Sequence, residues 1–185
     1  MKVRKNNRGF TLVELIVSTA ILGIIALSAS AFMIAGTKSY SSLNYAVRLQ
    51  YEAQLAMAQL QEYTIDCTKG IAWDATTKTL YIANEDGDPT TNDATVHVFA
   101  YDGAATAQAI YYEKSDGFPQ ILPIPNNTLM AEHVKSMDVV FEENQVKITL
   151  EMARGSKTYS ATQVIALRNQ PVQARSWTDL WNIIK

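Results

Sequence analysis

Glu14 is the residue of this chain whose position most needs a chemical reason. It closes the stretch Gly9-Phe10-Thr11-Leu12-Val13-Glu14, and no charged side chain follows from Leu15 to Gly36. A helix over that run of roughly 22 residues is about 33 Å long, close to the hydrocarbon thickness of a bilayer. A carboxylate there costs up to about 2.5–3.5 kcal/mol at mid-bilayer and less near an end, so it calls for a partner of opposite charge. Ahead of the stretch stand Lys2, Arg4, Lys5 and Arg8 with no acid among them. Such a basic leader stays on the cytoplasmic side, which places everything after Gly36 outside.

Taken together, the basic leader, Gly-Phe-Thr-Leu-Val-Glu and the apolar helix resemble the class III signal of type IV prepilins. That resemblance implies cleavage between Gly9 and Phe10 by a membrane prepilin peptidase, with methylation of the new amino terminus on Phe10. It also implies that Glu14, fifth in the mature chain, pairs with the terminal amine of a neighbouring subunit. The physics is compatible, because a methylated secondary amine stays cationic and opposite charges attract far more strongly in low dielectric than in water. Two other readings stay open. An ordinary secretory signal could use Ala29-Ser30-Ala31 as its cut site, although the apolar run is long for a signal core and Glu14 interrupts its entry. A plain single-span anchor is the other, and it gives Glu14 no task.

Composition bounds the remainder. A hydrophobic share of 48% with 18% charged residues suits a folded chain and not a disordered one. The 185 residues hold one membrane helix and one globular domain. The net charge is −2, and a cut after Gly9 removes four cations and no acid, leaving −6. No basic patch invites nucleic acid. Cys67 is the single cysteine, so no intrachain disulfide can form and an exported domain must rely on its core.

The elements that must position Glu14 follow from the pattern. No proline occurs between Met1 and Asp88, and Phe10 to about Tyr63 reads as one helix. After Lys38 it becomes amphipathic: Leu43, Val47, Tyr51, Leu55 and Ala58 form the stripe expected to pack on a sheet, with Ala46, Leu49, Ala53, Met57 and Leu60 beside it. Asp66 to Gly70 ends the helix, Gly70 being able to take a left-handed conformation. Where major pilins commonly carry a proline this chain has Ala31, which leaves a kink there open. Period-two alternation then predicts strands at Ile71–Trp73, Thr79–Ala83, Thr95–Tyr101, Gln108–Glu113, Met137–Glu142, Gln145–Met152 and Thr158–Leu167. Prolines make Phe118–Asn126 an extended loop or edge, and Thr128–Val134 reads as a short helix. The fold class is α+β: a long N-terminal helix, membrane-spanning then amphipathic, packed on an antiparallel β-sheet domain in the manner of pilins. The expected division is 1–9 leader, removed; 10–36 transmembrane and filament-core helix; 37–66 its amphipathic half; 67–170 antiparallel β domain; and 171–185 a tail with a short helix.

Ala109–Glu113, Val134–Phe141 and Gln163–Asn169 resemble, more weakly than the motif, the minor pilins of the pseudopilin J-like group. This implies a minor subunit of a type IV pilus-like filament, priming assembly at the tip; a pseudopilin of a type II secretion or DNA-uptake machine is the alternative. A membrane-anchored or secreted binding domain unrelated to filaments is the second. The implied partners are major and minor pilin subunits, the prepilin peptidase, the pilus assembly platform and, before assembly, membrane lipid. The implied location is the cytoplasmic membrane with the C-terminal domain outside, then the extracellular pilus. No catalytic constellation or cofactor motif occurs, and His97 and His133 read as surface or strand residues. Asn84, Asp86 and Asp88 recur like the first half of a calcium loop, but Pro89 stands where the sixth-position glycine belongs, so a solvated acidic turn competes. In the tail, Ser176 can cap a helix with Trp177, Leu180, Trp181 and Ile184 on one side, to dock on the chain's own domain or on a neighbouring subunit.

Overall fold

A computed structural model describes residues 9–85, 94–103, 108–116 and 128–184. The chain divides into two compact units, Met1–Asn44 and Tyr45–Lys185. Helix α1 runs over Leu12–Ile65. In the first unit it is long and apolar enough to cross a membrane, and every described residue up to Ser41 is exposed. Gly23, Ser28, Ser30, Ala31 and Gly36 are all helical, without a break. The hydroxyls of Ser28 and Ser30 donate to the carbonyls of Ile24 and Ala26, each at 2.9 Å. Thr19 and Thr37 bond back to their own helix in the same way. A polar side chain that satisfies itself on its own backbone presents no free donor to lipid.

In the second unit the strands follow as β1 Gly70–Asp74, β2 Thr79–Glu85, β3 Ala94–Asp102, β4 Ala109–Asp116 and β5 Thr128–Ala131. Then come β6 Val134–Glu142, β7 Gln145–Arg154, β8 Lys157–Ala166, β9 Val172–Ala174 and helix α2 Trp177–Ile184. They form a sheet of order β5-β4-β3-β2-β1-β9 and a separate sheet β6-β7-β8. All pairs are antiparallel except β1 with β9. The α+β class therefore stands: a long helix packs against a mixed, mainly antiparallel β domain.

One core joins α1 to both sheets. Leu49, Met57 and Leu60 meet Ile71, Leu80, Ile82 and Phe99 of the larger sheet and Ile148, Leu150 and Met152 of the smaller. The expected stripe lies nearly on the opposite side of α1 from the observed one, about 150° around at 3.6 residues per turn, and the residues expected beside it, Leu49, Ala53, Met57 and Leu60, are the buried ones. Leu43, Val47 and Tyr51 are 66%, 63% and 66% exposed, Leu55 and Ala58 are exposed too, and the buried face is Leu49, Ala53, Ala56, Met57, Leu60 and Thr64. Both stripes have helical spacing, so periodicity alone could not rank them; the buried face carries Ala53 and Ala56, small residues that let a helix approach two sheets closely. Leu60→Ala is thus expected to cost about 2–5 kcal/mol in chemical denaturation, whereas Leu55→Ala should stay within about 0.5 kcal/mol. Equal costs would mean that the wrong face has been assigned to the core.

Other expectations change with the tertiary contacts. Thr128–Val134 is not a helix: Leu129 and Thr128 pair with Tyr111 and Tyr112, His133 turns the chain at φ 61°, and β6 begins at Val134. So short a helix has no stability of its own, and pairing to an open sheet edge satisfies its backbone instead. Gly70 opens β1 without a positive φ; a Cβ there would crowd the Leu180 side chain of α2 and the Val172 carbonyl, so any larger residue would have to displace Leu180. Strand β9 carries too few residues for a periodic signal. The outer face of the larger sheet is covered by α2, whose Trp177 is buried and stacks on Tyr81 at 5.2 Å. Asp179 N–H donates to Ser176 Oγ at 3.2 Å, capping α2. With both faces covered, β1 and β2 are buried almost continuously and do not alternate. His97 is half-buried on β3, its Nδ1 2.9 Å from Tyr112 Oη and its ring 4.5 Å from that of Tyr63. Burial and Lys114 hold its pKa below the ordinary value. Phe118–Asn126 lies outside the described residues.

Candidate processing and assembly site

Gly9, Phe10 and Thr11 precede α1 and are exposed, Phe10 at 76%. Lys2, Arg4, Lys5 and Arg8 lie outside the described residues. A Cβ built on Gly9 meets nothing within 4 Å, so this chain tolerates a larger side chain there. The helix starts abruptly just beyond. The Thr11 carbonyl accepts the N–H of Leu15 at 3.2 Å, and the Thr11 hydroxyl accepts the N–H of Glu14 at 3.3 Å. Thr11 is therefore the N-cap and Glu14 the third helical residue, the spacing of a capping box. Sequence reasoning passed over Thr11, although Thr-x-x-Glu ahead of an apolar run is a legible helix-start signal.

Two consequences follow for chemistry. The Gly9–Phe10 peptide is left outside the helix, where its bond is not protected by helical hydrogen bonding. Glu14 sits in the first turn, exposed, where the helix dipole favours a negative charge. Nothing among the described side chains forms an ion pair with it.

Residues 4–30 match the family described as the prokaryotic N-terminal methylation motif. A prepilin-type motif is present. It spans Gly9, Phe10 and Glu14 and ends within the apolar part of α1. No curated protein and no solved structure matches the chain in the corresponding comparisons. The motif implies processing by a prepilin peptidase and membrane association, and with the pilin-like α+β fold it supports placement among the type IV pilins and pseudopilins.

The remaining candidates are placed as follows. The Oδ1 of Asn84 accepts the N–H of Thr68 at 3.0 Å, while the Thr68 hydroxyl accepts the N–H of Glu85 at 2.9 Å. Asn84 thereby ties the end of β2 to the turn between α1 and β1. Asp86 and Asp88 lie outside the described residues. Cys67 is fully buried, its thiol donating to the Gly70 carbonyl at 3.2 Å, and burial pushes its pKa up to about 12. A thiol held protonated in that way is a packing residue and not a nucleophile.

Proposed function

We propose that this chain is a structural, non-catalytic subunit of a type IV pilus-like filament, made as a membrane-anchored precursor. Prepilin peptidase cuts between Gly9 and Phe10 and methylates Phe10. The apolar part of α1 holds the subunit in the membrane and then enters the filament core, where Glu14 neutralises the terminal amine of an adjacent subunit. The three strand segments noted above favour a minor subunit that primes assembly at the tip.

The observation that carries this reading is the motif match over residues 4–30 laid on a scissile peptide that stays outside a capped, apolar helix. The exposed face of Val47, Tyr51 and Leu55 supports it, since a helix with a second apolar stripe has surface left for other helices.

The test is the mature N-terminus. Sequencing and intact mass from cells with the cognate peptidase should give a chain that starts at Phe10 and carries one methyl group. An N-terminus near Phe32 would establish ordinary signal cleavage instead. Gly9→Val should leave the precursor uncut. Because the chain has open space at Gly9, that block would arise in the peptidase and not from misfolding.

A further inference from the structure

Every sheet has two edges, and in this chain they are guarded unequally. In the larger sheet the edge strands are short, β5 with 4 residues and β9 with 3. In the smaller sheet, β6 carries Lys135, Asp138 and Glu142 and receives a hydrogen bond from Tyr101 Oη to Lys135 O at 2.7 Å. Strand β8 is different. It has 10 residues, pairs among the described residues only with β7 in an unshifted register, and after Lys157 holds no charge and no proline from Thr158 to Ala166. Among the described residues its guards are slight: Lys157 at its first position and a side-chain hydrogen bond from Gln163 Nε2 to Gln61 Oε1 of α1.

The hydrogen-bond phase shows what that edge offers. Leu167 N–H donates to Asn144 O at 2.9 Å, so the odd-numbered residues of β8 turn their main-chain groups to β7. The N–H and C=O groups of Thr158, Ser160, Thr162, Val164 and Ala166 therefore face away from β7, and no backbone group among the described residues pairs with them. Beyond them lies an open groove whose other wall is Gln54, Ala58 and Gln61 of α1. The inner face is unfinished there as well. Tyr159 and Ala161 are only half-buried, while Ile148, Leu150 and Met152 on β7 are fully buried.

We propose that β8 is a homotypic docking edge, pairing antiparallel with β8 of a second copy of this chain. Main-chain donors and acceptors in that repeat accept only an extended polypeptide strand. Among the described edge strands, β8 alone carries a long uncharged run, Thr158–Ala166, so a second β8 is the strand that fits. Centred on Thr162, the pairing sets Thr162 against Thr162, Ser160 against Val164 and Thr158 against Ala166. It covers the whole uncharged run and brings no like charges opposite each other. The contact does not rest on the processing reading, since precursor and mature chain both contain β8.

Cysteine cross-linking of the full-length chain in native membranes tests it. Across the two-fold the Thr162 Cα atoms would lie about 5.5 Å apart, within disulfide reach. Val140, also exposed but on β6, would lie five strand spacings, about 24 Å, across and four residues, about 14 Å, along the strands from its counterpart, about 28 Å in all. Under mild oxidation Thr162→Cys should form dimer at least roughly five-fold faster than Val140→Cys; the buried Cys67 gives no background. Equal rates would mean random collision and would overturn the proposal. In a mixture of a Ser160→Cys copy and a Val164→Cys copy, the mixed disulfide should fall by roughly five-fold when both also carry Thr162→Lys. It should recover when one carries Thr162→Lys and the other Thr162→Glu. Thr162 is exposed, so the single subunit accommodates either charge. Failure to fall, or a fall without recovery, would also overturn it.

Discussion

Glu14→Ala is expected to leave a chain that is inserted and cut normally but does not enter fibres. An isolated carboxylate in an apolar helix would be better replaced by any aliphatic residue if anchoring were its only task. In a filament its value appears on assembly, when the amine of the adjacent subunit arrives. A charge pair at about 4 Å in an effective dielectric of about 20 is worth about 4 kcal/mol, so even a strongly discounted pair should change incorporation by at least roughly ten-fold. The capping geometry sharpens the test. Glu14 is the third residue of a helix capped by Thr11, and glutamine serves that position in a capping box as well as glutamate does. Glu14→Gln keeps a residue suited to that position and the backbone N–H bond to Thr11, and removes the charge. If the pairing role is correct, both variants accumulate in the membrane and are missing from sheared fibres, with Glu14→Asp intermediate. Normal incorporation of Glu14→Gln would remove the pairing role and leave Glu14 a first-turn residue whose charge is dispensable.

A chain beginning at Ser39 should fold as a soluble domain, and one beginning at Gly70 should not. The shorter chain lacks Leu49, Ala53, Ala56, Met57 and Leu60, which join both sheets into one core. Losing even one large buried side chain costs about 2–5 kcal/mol, and a whole domain is stable by only about 5–15 kcal/mol. The exposed sheet faces would then bind a hydrophobic dye, and near-UV dichroism would be lost. The longer chain retains every buried residue of α1, the first being Leu49. Cooperative unfolding of the chain from Gly70, with a midpoint close to that of the longer one, would show that α1 is not a core layer.

The local features of this chain were legible because their signals are local. An uncharged run long enough to span a bilayer, a cluster of cations before it and Gly-Phe-Thr-Leu-Val-Glu between them need no folded partner to be recognised. Alternation along β7, with Val146, Ile148 and Leu150 buried, follows from a strand that has one face on the core. The α+β class follows from such elements in this order. What periodicity could not decide was everything settled by a partner distant in the chain. The two apolar stripes of α1 differ in which one the sheets cover, and that depends on strands that come later in the chain. Thr128–Ala131 became a strand because β4 offered it an edge, and Val172–Ala174 did so because β1 offered one. The helix ends just before Asp66 as expected, but Gly70 takes no left-handed conformation; what its missing side chain leaves room for, Leu180, comes from the far end of the chain. The open edge of β8 has the same origin: an uncharged run is visible in the chain, but whether a neighbour already pairs with it depends on the order of strands in the folded sheet.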